Sequence, residues 1–271
     1  MPELPEVENV VRGLVRPLSG RLVSSARLFR RDLYRAGSLP LSRLNGSKIC
    51  VVERFGKAIL FRMEGGGPVL VVHLGMTGNL LLSCGGRAQP RAHRHAVLTM
   101  DDGQRVEYID PRRFGYLWVG DGRDLAGSLN IGPDPFQMDA DELARRLAGR
   151  KAPVKSLLLD QRLVSGLGNI YADETLFRAS VHPLSTGSAA AARAAVLLSA
   201  ARGVLSSAID HGGTTIRDFR RADGTAGAFR RRLAVYGREG EPCRRCGGDV
   251  RRTVINARSS HYCPNCQKAG P

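Results

Sequence analysis

Apolar residues recur at Val7, Val10, Val11, Leu14 and Val15, a three-and-four spacing that predicts one amphipathic helix over 7–18. The period then changes. Short apolar runs at 21–29, 48–53, 58–63, 69–74, 79–82, 96–100, 105–109 and 116–119 are separated by Gly, Pro and Asp. Runs of this length between turn residues read as strands. Gly65-Gly66-Gly67 and Asp102-Gly103 are placed to close hairpins. Many short strands at this spacing point to a β-sandwich or barrel.

After about residue 120 the pattern becomes helical. Ile131-Gly132-Pro133-Asp134-Pro135 reads as linker, and Asp139 followed by Glu142 resembles a capping box. Helical spacing follows over 140–149, 153–161, 169–179 and 188–210. The last run is Ala-rich and stops at Gly212-Gly213. A polar, Gly-containing stretch occupies 213–228, and a basic Cys-containing module begins near Val235. The expected class is α+β and multidomain: a β domain over 2–120, a linker over 121–138, a helical domain over 139–234 and a terminal module over 235–271. No internal repeat or long low-complexity tract interrupts this order.

Charge narrows the partners. Forty-one Lys and Arg oppose 25 Asp and Glu, a net +16 in 271 residues. A chain this basic suits a polyanion, either nucleic acid or an anionic membrane face. The bland alternative, weighed below a polyanion partner, is a generally Arg-rich proteome. No apolar run approaches the roughly 18 residues that span a bilayer. The opening Met1-Pro2-Glu3-Leu4-Pro5-Glu6 is acidic and Pro-broken, unlike a signal peptide. A cytosolic protein with reduced thiols is expected. Cys50 and Cys84 stand alone and read as small buried or half-buried side chains.

The other four cysteines are spaced as metal ligands. Cys243-Arg-Arg-Cys246 and Cys263-Pro-Asn-Cys266 are separated by sixteen residues. Two such knuckles can place four thiolates tetrahedrally, which suits one Zn²⁺. With every ligand supplied by protein no position is open for substrate, so the zinc is expected to be structural. Metal binding would add on the order of 10 kcal/mol toward folding a segment too short to build a core. From Arg230 onward the chain carries ten basic and three acidic residues. A zinc tetrathiolate subtracts two charges and leaves about +5, suited to phosphates. His261, just before the second knuckle, has no assignment.

The N-terminus carries a second chemistry. Removal of Met1, expected when a small residue follows, would expose the secondary amine of Pro2 beside Glu3 and Glu6. An α-amino group titrates near 7.7–8.0, against about 10.4 for Lys, so more of it is unprotonated at neutral pH. Attack of a secondary amine on a sugar C1′ gives an iminium directly, an electron sink for elimination. Taken alone, a tail proline before an acidic helix start is the simpler account.

The motifs do not stand alone. From residue 2 to 266 the chain resembles the Fpg/Nei family of DNA base-excision enzymes, on its formamidopyrimidine-DNA glycosylase branch. The resemblance rests on Pro2-Glu-Leu-Pro-Glu-Val-Glu8, His73-Leu-Gly-Met-Thr-Gly78, Asp110-Pro-Arg-Arg-Phe-Gly115 and the 155–161 stretch. It continues through Gly166-Leu-Gly-Asn-Ile-Tyr-Ala-Asp-Glu174 and Tyr236-Gly-Arg-Glu-Gly-Glu-Pro242, which leads into the zinc knuckles. It implies an N-terminal β-sandwich, a helical domain with a helix–two-turn–helix element, and a C-terminal zinc finger, with DNA between the domains.

The resemblance also implies roles. Pro2 would be the nucleophile, Glu3 the general acid that assists ring opening, and Glu6 an aid to proton transfer and orientation. Lys57 and Arg258 would grip phosphates at the lesion, the guanidinium through a bidentate fork. Met76, Arg112 and Phe114 would fill the gap left by a flipped nucleotide, with Arg112 bonding the orphaned cytosine. Asn169, at a Gly-rich helix start suited to phosphate, and Lys155 would contact the backbone. Without the family, Lys57 reads as a solvated strand lysine, Met76 and Phe114 as core, Arg112 as surface charge and His73 as a structural histidine.

The 213–229 stretch resembles the loop that covers 8-oxoguanine in this branch. Ala228 stands where relatives often carry an aromatic, Thr225-Ala226 replaces a more usual Lys-Pro, and Leu81 stands where Arg is frequent. The implied activity is removal of oxidised purines from double-stranded DNA, then β,δ-elimination of the strand. The expected protein is a bacterial cytoplasmic monomer that reaches the nucleoid through DNA. Two alternatives are the sister endonuclease VIII-like class, which prefers oxidised pyrimidines, and a catalytically dead zinc-ribbon DNA-binding protein.

Overall fold

A computed structural model describes residues 2–83, 91–122 and 125–268. Cys84 and Met1 lie outside the described residues. The chain divides into two compact units. The first is Met1–Leu125 with Ile209–Arg230, and the second is Ala126–Ala208 with Arg231–Pro271.

The first unit opens with α1 (Leu4–Leu18), which buries Leu4, Val7, Val10, Val11, Leu14 and Leu18. It starts three residues before the amphipathic pattern announces it. Proline is tolerated in a first helical turn, where its missing N–H would lack a partner anyway, and Pro5 sits there. Two antiparallel four-stranded sheets follow. One runs β1 (Val23–Leu28), β6 (Arg94–Met100), β7 (Arg105–Ile109), β5 (Asn79–Ser83). The other runs β2 (Ile49–Phe55), β3 (Ala58–Met63), β4 (Val69–His73), β8 (Tyr116–Gly120). The inward residues of the two sheets share one core, including Val23, Leu98, Val106 and Leu80 from the first and Val52, Phe61, Val72 and Leu117 from the second. The α1 stripe joins that core, so the expected sandwich is present, with one helix against it. Gly65 and Gly103, both at positive φ, turn the hairpins that their sequence context predicts.

The 213–229 stretch, grouped above with the helical domain, clusters with the sandwich. The reason is local packing. Phe219 and Ala222 enter the sandwich core, and Ala222 carbonyl accepts the Leu82 N–H at 2.8 Å. A Cβ on Gly13 of α1 would lie 2.9 Å from the Ala222 methyl, so that close approach needs glycine. Cys50 departs from expectation: it is exposed, because it faces outward from β2 while Ile49 and Val52 turn inward.

The second unit carries α3 (Ala140–Leu147), α4 (Val154–Leu159), α5 (Asn169–Arg178), α6 (Gly187–Ala191) and most of α7 (Ala194–Asp210), after a short α2 (Leu125–Leu129) at the boundary. Asp139 caps α3 by accepting the Glu142 N–H at 2.7 Å. The single helix expected over 188–210 is two. Thr186 caps the first, and Arg193, at the break, donates to the carbonyls of Ala179 and Ser180 at 2.9 and 3.0 Å. Its guanidinium thus caps the end of α5. The C-terminal hairpin pairs β9 (Arg251–Ile255) with β10 (Arg258–Tyr262).

Candidate active site and nucleic-acid interface

The N-terminal residues form a buried polar cluster in the first unit. Pro2 is buried, and Glu3 and Glu6 are 2% and 1% exposed. Glu3 is the N-cap of α1. Glu6 Oε2 accepts the Glu3 N–H at 2.8 Å, and Oε1 accepts the Thr214 N–H at 2.6 Å. One carboxylate therefore joins the start of α1 to the start of the 213–229 loop. Gly213 makes this possible: its φ is +81°, and a Cβ there would lie 2.9 Å from Glu6 Oε1.

That loop is closed on itself. Phe229 N–H donates to Gly213 carbonyl at 3.1 Å and Ala228 N–H to His211 carbonyl at 2.9 Å. Arg220 N–H donates to Asn79 Oδ1 at 2.7 Å. The Ala228 contact is backbone-only, so the missing aromatic does not disturb it. The exposed tip turns at Gly224, with Thr225 bonded to Asp223 Oδ1 through its N–H and hydroxyl at 2.9 and 2.6 Å.

Lys57 occupies the turn between β2 and β3 and is 7% exposed, so it is not a solvated strand lysine. It lies near His73, at the end of β4. Burial, then the charges of Lys57 and Arg35, push the His73 imidazole down to about 4. Its ring stacks on Tyr116 at 5.0 Å, and its Nδ1 accepts the Gly75 N–H at 3.1 Å. His73 is thus neutral at pH 7 with its proton on Nε2, a fixed donor rather than a cation.

Met76 and Phe114 are not core. They are 39% and 55% exposed, on the β4–β5 and β7–β8 turns. The Arg112 guanidinium lies 4.5 Å from the Phe114 ring centroid, a cation–π geometry. The two turns touch backbone to backbone: Gly75 has φ +59°, and a Cβ there would lie 2.3 Å from the Phe114 carbonyl carbon. The structure therefore gathers three residues that sequence alone leaves scattered.

In the second unit, Gly168 caps α5 and Asn169 opens it. The Gly166 N–H is held by Gln161 Oε1 at 2.9 Å. Asn169 Oδ1 is buried and takes no hydrogen bond among the described residues. Arg258 is exposed at the start of β10, just past a tight turn in which Asn256 and Ala257 both have positive φ. Lys155 corrects the expectation of a phosphate contact. It is 0% exposed, paired with Asp173 at 2.6 Å, and donates to the Ser259 carbonyl at 2.6 Å. A lysine so enclosed reaches no phosphate. It fixes the hairpin beside Arg258 to α5. Asp173 Oδ2 also accepts the His261 N–H at 2.9 Å, and Glu174 accepts the N–H groups of Ala234, Val235 and Tyr236. Sequence reasoning assigns no role to Asp173, Glu174 or His261.

The four predicted cysteines converge. Their Sγ atoms all lie within 4.8 Å of one another, with Cys243–Cys266 at 3.9 Å and Cys246–Cys263 at 3.5 Å. Zn–S bonds of about 2.3 Å in a tetrahedron place sulfurs roughly 3.8 Å apart, so the set fits zinc. The Gly248 N–H holds the Cys246 thiol down to about 7, while burial pushes the Cys263 and Cys266 thiols up, so zinc would have to displace their protons on binding. Cys243 and Cys263 also pack with Val235, Val250 and Phe177. No helix among the described residues is long and apolar enough to cross a membrane.

A β-sandwich with a buried N-terminal carboxylate pair, a helical unit and a four-cysteine finger together define a class of modular zinc-finger enzyme. Three family models match in that order: the formamidopyrimidine-DNA glycosylase N-terminal domain over 1–117, its H2TH domain over 131–220, and a zinc finger found in FPG and IleRS over 240–269. The chain is 46% identical over 287 residues to the formamidopyrimidine-DNA glycosylase of Cereibacter sphaeroides, covering 99% of this chain and all of that one. The crystal structure of the MutM (Fpg) protein from Thermus thermophilus superposes with a TM-score of 0.86 at 42% identity, covering 100% of both chains. MutM in complex with DNA containing carbocyclic 8-oxo-G superposes with a TM-score of 0.88 at 32% identity, covering 99% of this chain and 100% of that one. The chain belongs to the formamidopyrimidine-DNA glycosylase family.

Proposed function

We propose that the protein is a base-excision repair enzyme that removes oxidised purines, 8-oxoguanine and formamidopyrimidines, from double-stranded DNA and then cleaves the strand at the resulting site. The observation that carries this is the buried Pro2–Glu3–Glu6 cluster at the head of α1, in a chain of this family. Once Met1 is removed, the Pro2 nitrogen attacks C1′ of the damaged nucleotide. Glu3 gives a proton to the deoxyribose ring oxygen as the C1′–O bond opens, and the Pro2 nitrogen passes its own proton to the base. The C1′–base bond of this ring-opened adduct then breaks, the protonated base departs and an iminium is left on Pro2. Loss of a C2′ proton then expels the 3′ phosphate, and a second elimination expels the 5′ phosphate. Glu6 holds the Glu3 backbone and the loop in place through its two oxygens.

Extruding the base costs a few kcal/mol of stacking and pairing. Met76 and Phe114, exposed beside one another's turns, replace part of it, and Arg112 supplies donors to the unpaired cytosine. Lys57, Asn169 and Arg258 contact phosphates, Asn169 from its place at a helix start. Zinc, when bound by Cys243, Cys246, Cys263 and Cys266, shapes the finger and takes no part in the reaction. The bacterial relatives and the chain's charge of +16 favour a cytoplasmic enzyme held on the nucleoid by DNA.

Excision of 8-oxoguanine opposite cytosine and of thymine glycol, measured on matched duplexes, tests the assignment. A marked preference for 8-oxoguanine is expected. Preference for thymine glycol would place the chain's activity with the endonuclease VIII-like class instead.

A further inference from the structure

Asp110 is fully buried and, among the described residues, pairs with no cation, yet both of its oxygens are saturated. Oδ1 accepts the Thr77 hydroxyl at 2.5 Å and the Arg112 N–H at 3.3 Å, a donor that Thr77 Oγ1 shares at 3.3 Å. Oδ2 accepts the Gly115 N–H at 2.9 Å and the Tyr108 hydroxyl at 3.0 Å. Its backbone carbonyl meets His95 Nε2 at 2.9 Å. Thr77 directly follows Met76, and Arg112 and Gly115 bracket Phe114. One carboxylate thus ties the turn bearing Met76 to the turn bearing Arg112 and Phe114.

We propose that Asp110 is a positioning residue for base extrusion: it sets the spacing of the two turns, so that Met76, Arg112 and Phe114 fit the gap left by the departing nucleotide without Asp110 touching DNA. This rests on the function proposed above. Around the carboxylate the turns already meet backbone to backbone. A Cβ at Gly75 would lie 2.3 Å from the Phe114 carbonyl carbon, and one at Gly115 would lie 2.3 Å from the His73 carbonyl oxygen. Slack at the carboxylate therefore has no side chain to absorb it and passes directly to the exposed Met76 and Phe114. The donor set also requires a carboxylate. An ionised Asp is acceptor-only at both oxygens, and each oxygen here faces one backbone N–H that cannot rotate away. An asparagine would turn its NH₂ toward either the Arg112 or the Gly115 N–H, whichever way it flips. In one flip the Gly115 N–H loses its acceptor, and in the other the Arg112 N–H is left to Thr77 Oγ1 alone, so either way the tie between the turns slackens. A displacement of about 1 Å in a reactive arrangement can cost 10²-fold in rate.

The test uses full-length, zinc-loaded wild type, Asp110→Asn and Thr77→Val. Thr77→Val removes a hydroxyl that bonds both the carboxylate and the Arg112 N–H, keeps the side-chain volume and leaves the carboxylate in place. Three quantities are measured: single-turnover excision of 8-oxoguanine opposite cytosine and opposite adenine, strand cleavage at a preformed abasic site in single-stranded DNA, and Tm. Single-stranded abasic DNA has no base to extrude and no orphaned partner. The expected result is a fall in duplex excision of about 10²-fold for Asp110→Asn, a smaller fall for Thr77→Val, and a reduced preference for cytosine over adenine in both. Single-strand cleavage stays near the wild-type rate. Parallel loss of excision and single-strand cleavage would overturn the proposal and leave Asp110 a purely structural residue. If Asp110→Asn does not fold, Thr77→Val decides alone, and wild-type excision and base preference in it would overturn the proposal. Wild-type protein that removes no 8-oxoguanine would overturn the functional reading and this inference with it, whereas active wild type with unaltered variants overturns this inference only.

Discussion

Replacing Glu3 by glutamine is expected to slow release of 8-oxoguanine by about 10²–10⁴-fold, the usual contribution of a positioned general acid. The side chain keeps its size and an acceptor oxygen, so α1 should still begin at Leu4 with Glu3 as its N-cap. What disappears is the proton for the sugar ring oxygen. At 2% exposure the site gives water little access to substitute for it. Single-turnover excision, paired with a thermal melt, checks the prediction. An unchanged rate in a folded variant would assign the proton to another group.

Loss of zinc is the second large effect. Cys263 is fully buried and its Sγ lies 3.5 Å from that of Cys246. Cys263→Ser removes one of four ligands, and structural zinc contributes on the order of 10 kcal/mol or more to folding of such modules. The β9–β10 hairpin would keep its bonds to Lys155 and Asp173, but not the knuckles that anchor its ends. Arg258 would then lose a fixed position. A charge-assisted bond is worth about 1.5–3 kcal/mol, or roughly 10–100-fold in affinity, so DNA binding should weaken at least that much. Zinc content by atomic absorption and duplex affinity at fixed salt measure both. Intact affinity in zinc-free protein would mean that the finger does not hold the DNA.

Where period and turn residues act locally, the fold is legible in the sequence. β3 and β7 run over 58–63 and 105–109 as the pattern predicts, because alternation and a glycine turn at Gly65 or Gly103 are short-range signals. The four cysteines are legible for the same reason, since ligand spacing is a local property. The start of α1 is hidden by Pro5, which reads as a breaker until its place in the first turn is known. The break between α6 and α7 is hidden because no Gly or Pro marks it and its guanidinium partners lie at the end of α5.

Long-range polar contacts are the least visible part of the site. Thr214 lies 208 residues from the Glu6 carboxylate that it bonds, and nothing in either neighbourhood announces the other. Lys155 reads as a phosphate ligand because it opens the 155–161 stretch that resembles the family. Only its partner Asp173 reveals a buried anchor. Asp110 sits inside a family motif without a role of its own in the sequence, since its function depends on donors drawn from two separate turns.

The whole mechanism turns on the Pro2 amine as nucleophile. Borohydride trapping on a duplex with 8-oxoguanine opposite cytosine tests this, using protein confirmed by mass spectrometry to begin at Pro2, with Pro2→Gly alongside. A covalent protein–DNA complex is expected for wild type, and a strongly reduced one for the variant. No complex from wild type with either 8-oxoguanine or an abasic site would mean that the Pro2 amine does not carry the reaction.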